Sequence, residues 1–259
     1  MTATEPGASG LSAWTRPLYT PGGGDAFVFL VAFGPDITEL AVSQADHRVD
    51  EVPETLDLAV QGADAVAAFL EPPLGDLLRE EQPDLVEIAA RSEGCLVIRG
   101  MIPDPSDLLY LRSVVGIATA ALDAGAVAIY NLQSFGFFGP SQWRHDVFEP
   151  DRPSPADFVV ILSSDDHEGG PDGDLWLHTR GMRIFGRPDI SVHGVPADQA
   201  NLGGVLVRSL IEQQVKGLRI EEGSTMNVGD PLGEITFHHR GHIDDPEFNN
   251  VHLAIDWPT

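Results

Sequence analysis

Residues 104–125, with the sequence DPSDLLYLRSVVGIATAALDAG, contain the clearest local signal for secondary structure in the chain. Asp104 is predicted to be the N-cap of a helix, because its carboxylate can accept a free backbone N–H of the first turn. Pro105 and Asp107 follow at helical positions one and three, where proline and a negative charge favour a helix start. Gly125 is predicted to end the helix. One apolar stripe follows the helix at spacings of three and four: Leu108, Leu111, Val115, Ala118 and Leu122.

Short apolar runs on both sides of this helix predict β-strands. Residues 96–102 precede the helix and residues 126–130 follow it. Residues 26–33, AFVFLVAF, form a continuous apolar run that is typical of a fully buried strand. The other signals in this part of the chain are two helices and one segment that fits either helix or strand, at residues 63–70, 74–81 and 85–91 respectively.

The second half of the chain repeats the order of these signals. DFVVIL at 157–162 resembles DAFVFL at 25–30, and a second helix is predicted from Ala197 to Lys216, followed by a strand at 218–221. This order predicts an α+β fold with two related halves, each a mainly antiparallel sheet with one long helix packed on it. Chance similarity between two α+β halves is the alternative. The predicted units are a flexible N-terminal lead at 1–24, a first half at 25–150 and a second half at 151–259.

Composition and charge limit the classes of partner. The 259 residues carry a formal net charge of −25, from 40 acidic and 15 basic side chains. Such a surface repels phosphates and anionic lipid, so neither nucleic acid nor a membrane is expected as a partner. The sequence contains no apolar run of the ~18 residues that a membrane helix needs, and its N-terminus lacks a signal-peptide pattern. The cytoplasm is therefore the expected compartment. Cys95 lies in an apolar run and is expected to be a buried structural thiol.

Basic and imidazole side chains cluster within residues 175–193, LWLHTRGMRIFGRPDISVH, although the chain is otherwise strongly acidic. Guanidinium groups hold carboxylates and phosphates through paired hydrogen bonds. The segment therefore predicts a site for a small anionic ligand or an acidic peptide. The alternative is that its arginines pair with nearby acids such as Asp174 and Asp189. The predicted ligand-binding residues are His178, Arg180, Arg183, Arg187 and His193.

The segment 237–252, FHHRGHIDDPEFNNVH, is a candidate metal site. Imidazole and carboxylate groups are common ligands of zinc, iron and manganese. A divalent transition metal held by His239, His242, Asp244 and Asp245 is the cofactor that this pattern allows, and no other cofactor is indicated. The alternative is a structured loop, because Asp-Asp-Pro favours a turn and the spacing matches no established metal motif.

Two further features are interpreted as structural. Residues 163–174, SSDDHEGGPDGD, alternate acids with glycine but lack the ligand order of an EF-hand, so a solvated hairpin loop is predicted. Aromatic residues cluster after Tyr130 and are predicted to pack the joint between the halves. They are Phe135, Phe137, Phe138 and Trp143.

The string TRGM at 179–182, followed by FGRPDI at 185–190, resembles one found in uncharacterised bacterial domain-of-unknown-function proteins. The pattern from Ala128-Ile129-Tyr130 to Trp143 is similar to the same group. The resemblance covers the second half and the end of the first. It implies a fold type and a bacterial origin, but no activity and no catalytic residue.

The sequence contains no dinucleotide-binding glycine motif, P-loop, serine elbow, HExxH or CxxC pattern. A non-catalytic binding module for an acidic ligand or partner is therefore the leading hypothesis. The first alternative is a metal-dependent hydrolase that uses the C-terminal His/Asp segment. The second is an immunity or antitoxin-like protein whose acidic surface masks a basic partner.

Overall fold

A computed structural model describes residues 14–34, 40–151, 154–166, 173–245 and 248–258, and shows a mixed α and β fold with two main sheets. The first sheet is antiparallel throughout, in the order β2-β3-β1-β4-β5. Its strands are β1 (Ala26–Gly34), β2 (Leu56–Gly62), β3 (Gly94–Ile102), β4 (Ala128–Asn131) and β5 (Gly136–Phe138).

The second sheet has the order β11-β12-β8-β7-β6 and is antiparallel except between β8 and β12, which run parallel. Its strands are β6 (Val160–Asp165), β7 (Leu175–Arg180), β8 (Asp189–Val195), β11 (His238–Arg240) and β12 (His252–Asp256). A separate hairpin consists of β9 (Thr225–Gly229) and β10 (Gly233–Thr236).

Helices cover both faces of the first sheet and one face of the second. They are α1 (Gln44–His47), α2 (Ala63–Phe69), α3 (Leu74–Glu81), α4 (Pro83–Ala90), α5 (Leu109–Asp123), α6 (Pro140–Gln142) and α7 (Ala200–Val215). One apolar core joins an inner face of each sheet to α5 and α7, and a second core joins the other face of the first sheet to α2, α3 and α4. Successive residues of β1 pack alternately into the two cores, because neighbouring side chains of a strand point to opposite faces of the sheet.

The alternation in β1 explains its unbroken apolar sequence. Leu30 and Ala32 lie in the core with α5, whereas Val31 and Phe33 lie in the core with α2–α4. A central strand that is covered on both faces needs apolar residues at every position. The predicted strand at 26–33 is therefore confirmed, with one residue added at its end. The whole predicted stripe of α5 is buried as well.

The predicted N-cap role of Asp104 is wrong. Helix α5 begins at Leu109, and Asp104 has a φ of 30°. Its carboxylate accepts hydrogen bonds from the backbone amides of Gly22 and Gly23, at 2.7 and 3.1 Å, and from the Tyr19 hydroxyl at 3.0 Å. Asp104 therefore binds a distant segment of chain instead of the first turn of its own helix.

A flexible lead was predicted at residues 1–24, and residues 1–13 of it lie outside the described residues. Residues 14–24 are packed against the rest of the chain. Trp14 and Arg16 are buried. The Arg16 guanidinium donates to the carbonyl oxygens of Pro105, Gln214 and Val215, at 2.9, 3.0 and 3.2 Å. The segment thus connects the start of α5 to the end of α7.

The structure gives three further outcomes for the sequence predictions. Residues 218–221 form no strand. The undecided segment at 85–91 is helical over residues 85–90, as part of α4, and Arg91 is the C-cap. The strand orders do not show a duplication, because β1 is central in its sheet while β6, its proposed counterpart, is an edge strand.

Two expectations concern a membrane helix and the single cysteine. In the described ranges, no helix is long and apolar enough to cross a membrane. The predicted burial of Cys95 is confirmed, and this burial raises the pKa of its thiol to about 11.

Candidate functional site

The TRGM–FGRPDI string forms a buried hydrogen-bond centre around Asp189. The Asp189 carboxylate is fully buried and accepts from Thr179 Oγ1 at 2.8 Å, from the Met182 backbone N–H at 3.2 Å and from Asn250 Nδ2 at 2.8 Å. Burial raises the pKa of Asp189 to about 7, although these three donors favour its ionised form. Gly181 has a φ of 114°, and a Cβ there would collide with the carbonyl oxygen of Phe158. The string is therefore explained by folding requirements.

Arg187 belongs to the same structural centre. Its side chain is buried and donates to the carbonyl oxygens of Gly186, Gly217 and Leu218, at 2.7, 2.9 and 3.1 Å. Gly217 and Leu218 directly follow α7, where the carbonyl groups at a helix end favour a positive charge. Burial lowers the pKa of Arg187, and the nearby Asp104 carboxylate opposes that shift.

The other two predicted arginines lie on aromatic rings. The Arg180 guanidinium is 4.7 Å from the ring centre of Phe135, and that of Arg183 is 4.5 Å from Phe27. Arg183 also donates to the carbonyl oxygen of Asn249 at 3.2 Å. The three guanidinium groups thus have separate partners and do not converge on one anion site.

His178 and His193 do come together, on the face of the second sheet opposite α7. Trp176 stacks between them, with ring centres 3.8 Å from His178 and 5.6 Å from His193. Phe248 contacts His178 edge-on at 5.7 Å and stacks on His252 at 4.1 Å. Burial lowers the pKa of His178 to about 4 and also lowers that of His252. The structure therefore favours neutral rings at these two positions.

A hydrogen-bond chain supports this aromatic stack. Trp176 Nε1 donates to Ser191 Oγ at 2.8 Å, and Ser191 Oγ lies 3.0 Å from His193 Nε2. His193 Nδ1 lies 3.4 Å from Asp166, which also accepts from the backbone N–H of Gly194 at 2.7 Å. The order Ser–His–Asp is that of serine hydrolases. However, Ser191 is fully buried and its Oγ accepts from Trp176 Nε1, so it presents no surface to a substrate.

The predicted metal ligands are not assembled. His239 Nε2 lies 2.9 Å from the carbonyl oxygen of Ile220, and Asp245 accepts from the backbone N–H of Phe248 at 3.2 Å. His242 and Asp244 are exposed in the following turn. In the part of the chain that the structure describes, no three His, Cys, Asp or Glu side chains are placed to hold a metal ion.

The predicted acidic hairpin at 163–174 lies partly outside the described residues, which omit 167–172. The described ends support a hairpin, because β6 pairs with β7 and the Asp166 N–H donates to the Asp174 carbonyl oxygen at 2.9 Å. The predicted aromatic cluster is divided. Phe137, Phe138 and Trp143 are buried, whereas Phe135 is half-buried and lines a cleft between β5 and β6.

A cleft of about 650 Å³ lies between the edges of the two sheets. One wall contains β5 and α3, the other contains β6, and α7 forms part of the lining. Clefts of this size accommodate small molecules or short segments. Apolar residues supply most of the lining, including Leu77, Phe135, Phe138, Val160 and Leu162.

Two polar atoms in this cleft have no hydrogen-bond partner among the described residues. They are Asp157 Oδ2 and Ser134 Oγ. Burial raises the pKa of Asp157 to about 6, although the backbone N–H of Ser154 favours its ionised form. Buried polar atoms are normally paired, so unpaired ones beside a cavity indicate where a water molecule or a ligand group binds.

The sequence analysis did not single out Asp157, because it lies in the run 157–162 that was compared with the apolar run at 25–30. Asp157 ends a short 3-10 helix, Pro155–Asp157, whose start is capped by the Ser154 side chain. The Ser-Pro-Ala-Asp string was the available signal, since serine before proline favours a helical turn. Phe135 was noted only as an aromatic residue. Its φ of 60° shows that the turn before β5 holds it in a strained conformation at the cleft.

Comparisons with protein-family models, curated proteins and solved structures find no match to this chain.

Proposed function

We propose that this protein is a binding module and that its ligand occupies the cleft between the two sheet edges. The observation that supports this most directly is Asp157, a half-buried residue in the lining of a mainly apolar cleft, whose buried atom Oδ2 has no partner among the described residues. An apolar ligand with a cationic or hydrogen-bond-donating group would bury apolar surface and supply the missing partner. The ionisable side chains of the lining are Glu81, Asp157, Glu212 and Arg208, so acids outnumber bases there.

An acidic ligand has less support from the geometry. Arg187 donates to three backbone carbonyl groups, and Arg180 and Arg183 lie on separate rings. A metal-dependent hydrolase has less support as well, because His239 and Asp245 face different partners. Masking of a basic partner, as in an immunity or antitoxin-like protein, fits the formal charge of −25. It also fits the cleft, whose ionisable residues include more acids than bases.

The Asp157→Asn variant is expected to bind a cationic aromatic probe about tenfold more weakly, because the substitution removes the charge that attracts the amine. The probe is 1-naphthylmethylamine, followed by isothermal titration at pH 7.5. 1-Naphthylacetate, which has the same ring and the opposite charge, is expected to bind the wild type weakly. In the wild type, affinity for the amine should fall as the pH drops through about 6, because Asp157 then takes up a proton.

Glu212→Gln is the matched control, since Glu212 also lines the cleft but is exposed. It is expected to change the affinity by less than about threefold, because exposed charges interact weakly. Equal binding of amine and acetate, or equal loss in both variants, would contradict the role of Asp157.

A further inference from the structure

The outer edge of β6 carries backbone groups that face away from its sheet. The Asp166 N–H donates to the Asp174 carbonyl oxygen, which continues the β6–β7 register beyond Asp165. In an antiparallel pair, residues with inward hydrogen bonds alternate with residues whose N–H and C=O point outward. Val160, Leu162 and Ser164 therefore bond to β7, and Ile161 and Ser163 present N–H and C=O groups at the free edge.

No described strand pairs with this edge of β6, which opens into the cleft. Val160, Ile161 and Leu162 contribute to one wall, and Gly136, Phe137 and Phe138 of the edge strand β5 contribute to the opposite wall. Natural edge strands are usually guarded by prolines, bulges or charges that prevent pairing with other chains. The stretch 160–162 has none of these, and the β6–β7 register is regular.

On the basis of the proposed function, we propose that the ligand is an extended segment of a partner protein with alternating apolar and basic side chains. The segment adds to β6 as a further strand of the second sheet. Its backbone pairs with Ile161 and Ser163, and its apolar side chains fill the cleft. One lysine or arginine lies beside the Asp157 carboxylate in the cleft lining and balances its charge. Backbone pairing supplies affinity and the side-chain pockets supply specificity, as in other cases of strand addition.

Charge complementarity favours a basic segment. Glu81, Asp157 and Glu212 line the cleft together with one base, Arg208, and the formal net charge of the chain is −25. An acidic segment would meet like charge on both walls. The outward groups at Ile161 and Ser163 are two residues apart, so a segment of about five residues covers them at ~3.4 Å per residue.

The test uses the full chain and the probe peptide acetyl-VKVKV-amide, with titration calorimetry and amide hydrogen exchange. Binding should slow exchange at Ile161 and Ser163 and leave the amides of Leu162 and Ser164, already bonded to β7, unchanged. Acetyl-VEVEV-amide is expected to bind at least tenfold more weakly. If the two peptides bind equally, or if protection is absent from the β6 edge, the proposal is overturned.

Two N-methylated analogues of the probe test backbone pairing without altering the protein. One is methylated on the lysine nitrogens and the other on the valine nitrogens. Only one set of N–H groups can face β6, so one analogue should lose affinity at least tenfold and the other should retain it. Equal affinity of both analogues and the parent peptide would show that no strand is added.

Ser163→Pro and Ser163→Ala form the matched pair of protein variants. Ser163 is exposed, and proline is tolerated on an edge strand where the N–H faces solvent. The proline variant should unfold at nearly the wild-type temperature but bind acetyl-VKVKV-amide at least tenfold more weakly, while the alanine variant binds normally.

If 1-naphthylmethylamine binds through Asp157 and the peptide does not bind, the cleft remains the site but strand addition is wrong. If neither binds, the proposed function fails too.

Discussion

Replacing Arg187 by alanine is expected to lower the free energy of unfolding by about 4 kcal/mol, because three buried carbonyl groups would lose a charged donor. Two of them, Gly217 and Leu218, follow α7, and the third belongs to Gly186 in the turn before β8. The variant should therefore loosen the connection between the end of α7 and the second sheet. Urea denaturation followed by tryptophan fluorescence would measure the change.

Arg183→Ala is the matched control for this prediction. Arg183 lies four residues earlier in the same string, but it is only half-buried and makes one hydrogen bond, to Asn249, with its ring contact to Phe27. Its replacement by alanine should lower the free energy of unfolding by less than about 1 kcal/mol. If both variants lost the same small amount, Arg187 would have no special structural role, and its guanidinium would again be a candidate for ligand binding.

Local signals predicted most of the helices and strands. The apolar stripe of α5 was found because helical spacing puts those residues on one face, and α3 has the predicted bounds Leu74–Glu81. Errors arose where distant residues compete for a local group. The Asp104 carboxylate lies close in sequence to the start of α5, but it accepts from the amides of Gly22 and Gly23, more than 80 residues away. A local sequence pattern cannot predict a contact between residues so far apart.

The candidate site was predictable only in part, for the same reason. His178 and His193 were selected by their nearness in sequence, and they do share one face of the second sheet. Their stack also requires Phe248 and Asp166, which come from other segments. The pKa of Asp157 is raised because folding buries its carboxyl group, so its sequence context, a charged and proline-rich stretch, did not mark it as functional.

Acid is expected to destabilise the wild type relative to a His178→Phe variant. Burial is the main cause that lowers the pKa of His178 from 6.5 to about 4, and Arg180, His193 and His252 add to it. The unfolded chain therefore binds a proton that the folded protein rejects between these values. The stability contributed by neutral His178 is complete above pH 6.5 and is lost as the pH falls towards 4. The loss amounts to about 3 kcal/mol.

The comparison between wild type and variant isolates His178. Asp157 and Asp189 have raised pKa values, so their contributions change with pH in the opposite sense and would mask the effect in the wild type alone. Because both groups are present in each protein, their contributions cancel in the difference between the free energies of unfolding of the wild type and the variant.

Urea titrations at intervals from pH 7 to pH 4 measure this difference. The free energy of unfolding of the wild type should fall relative to that of His178→Phe as the pH is lowered. His178→Gln, which also cannot titrate, should give the same slope with a different offset because it removes the ring stacked on Trp176. A difference independent of pH would mean that His178 takes up its proton in the folded state, and hence that the aromatic stack opens to water.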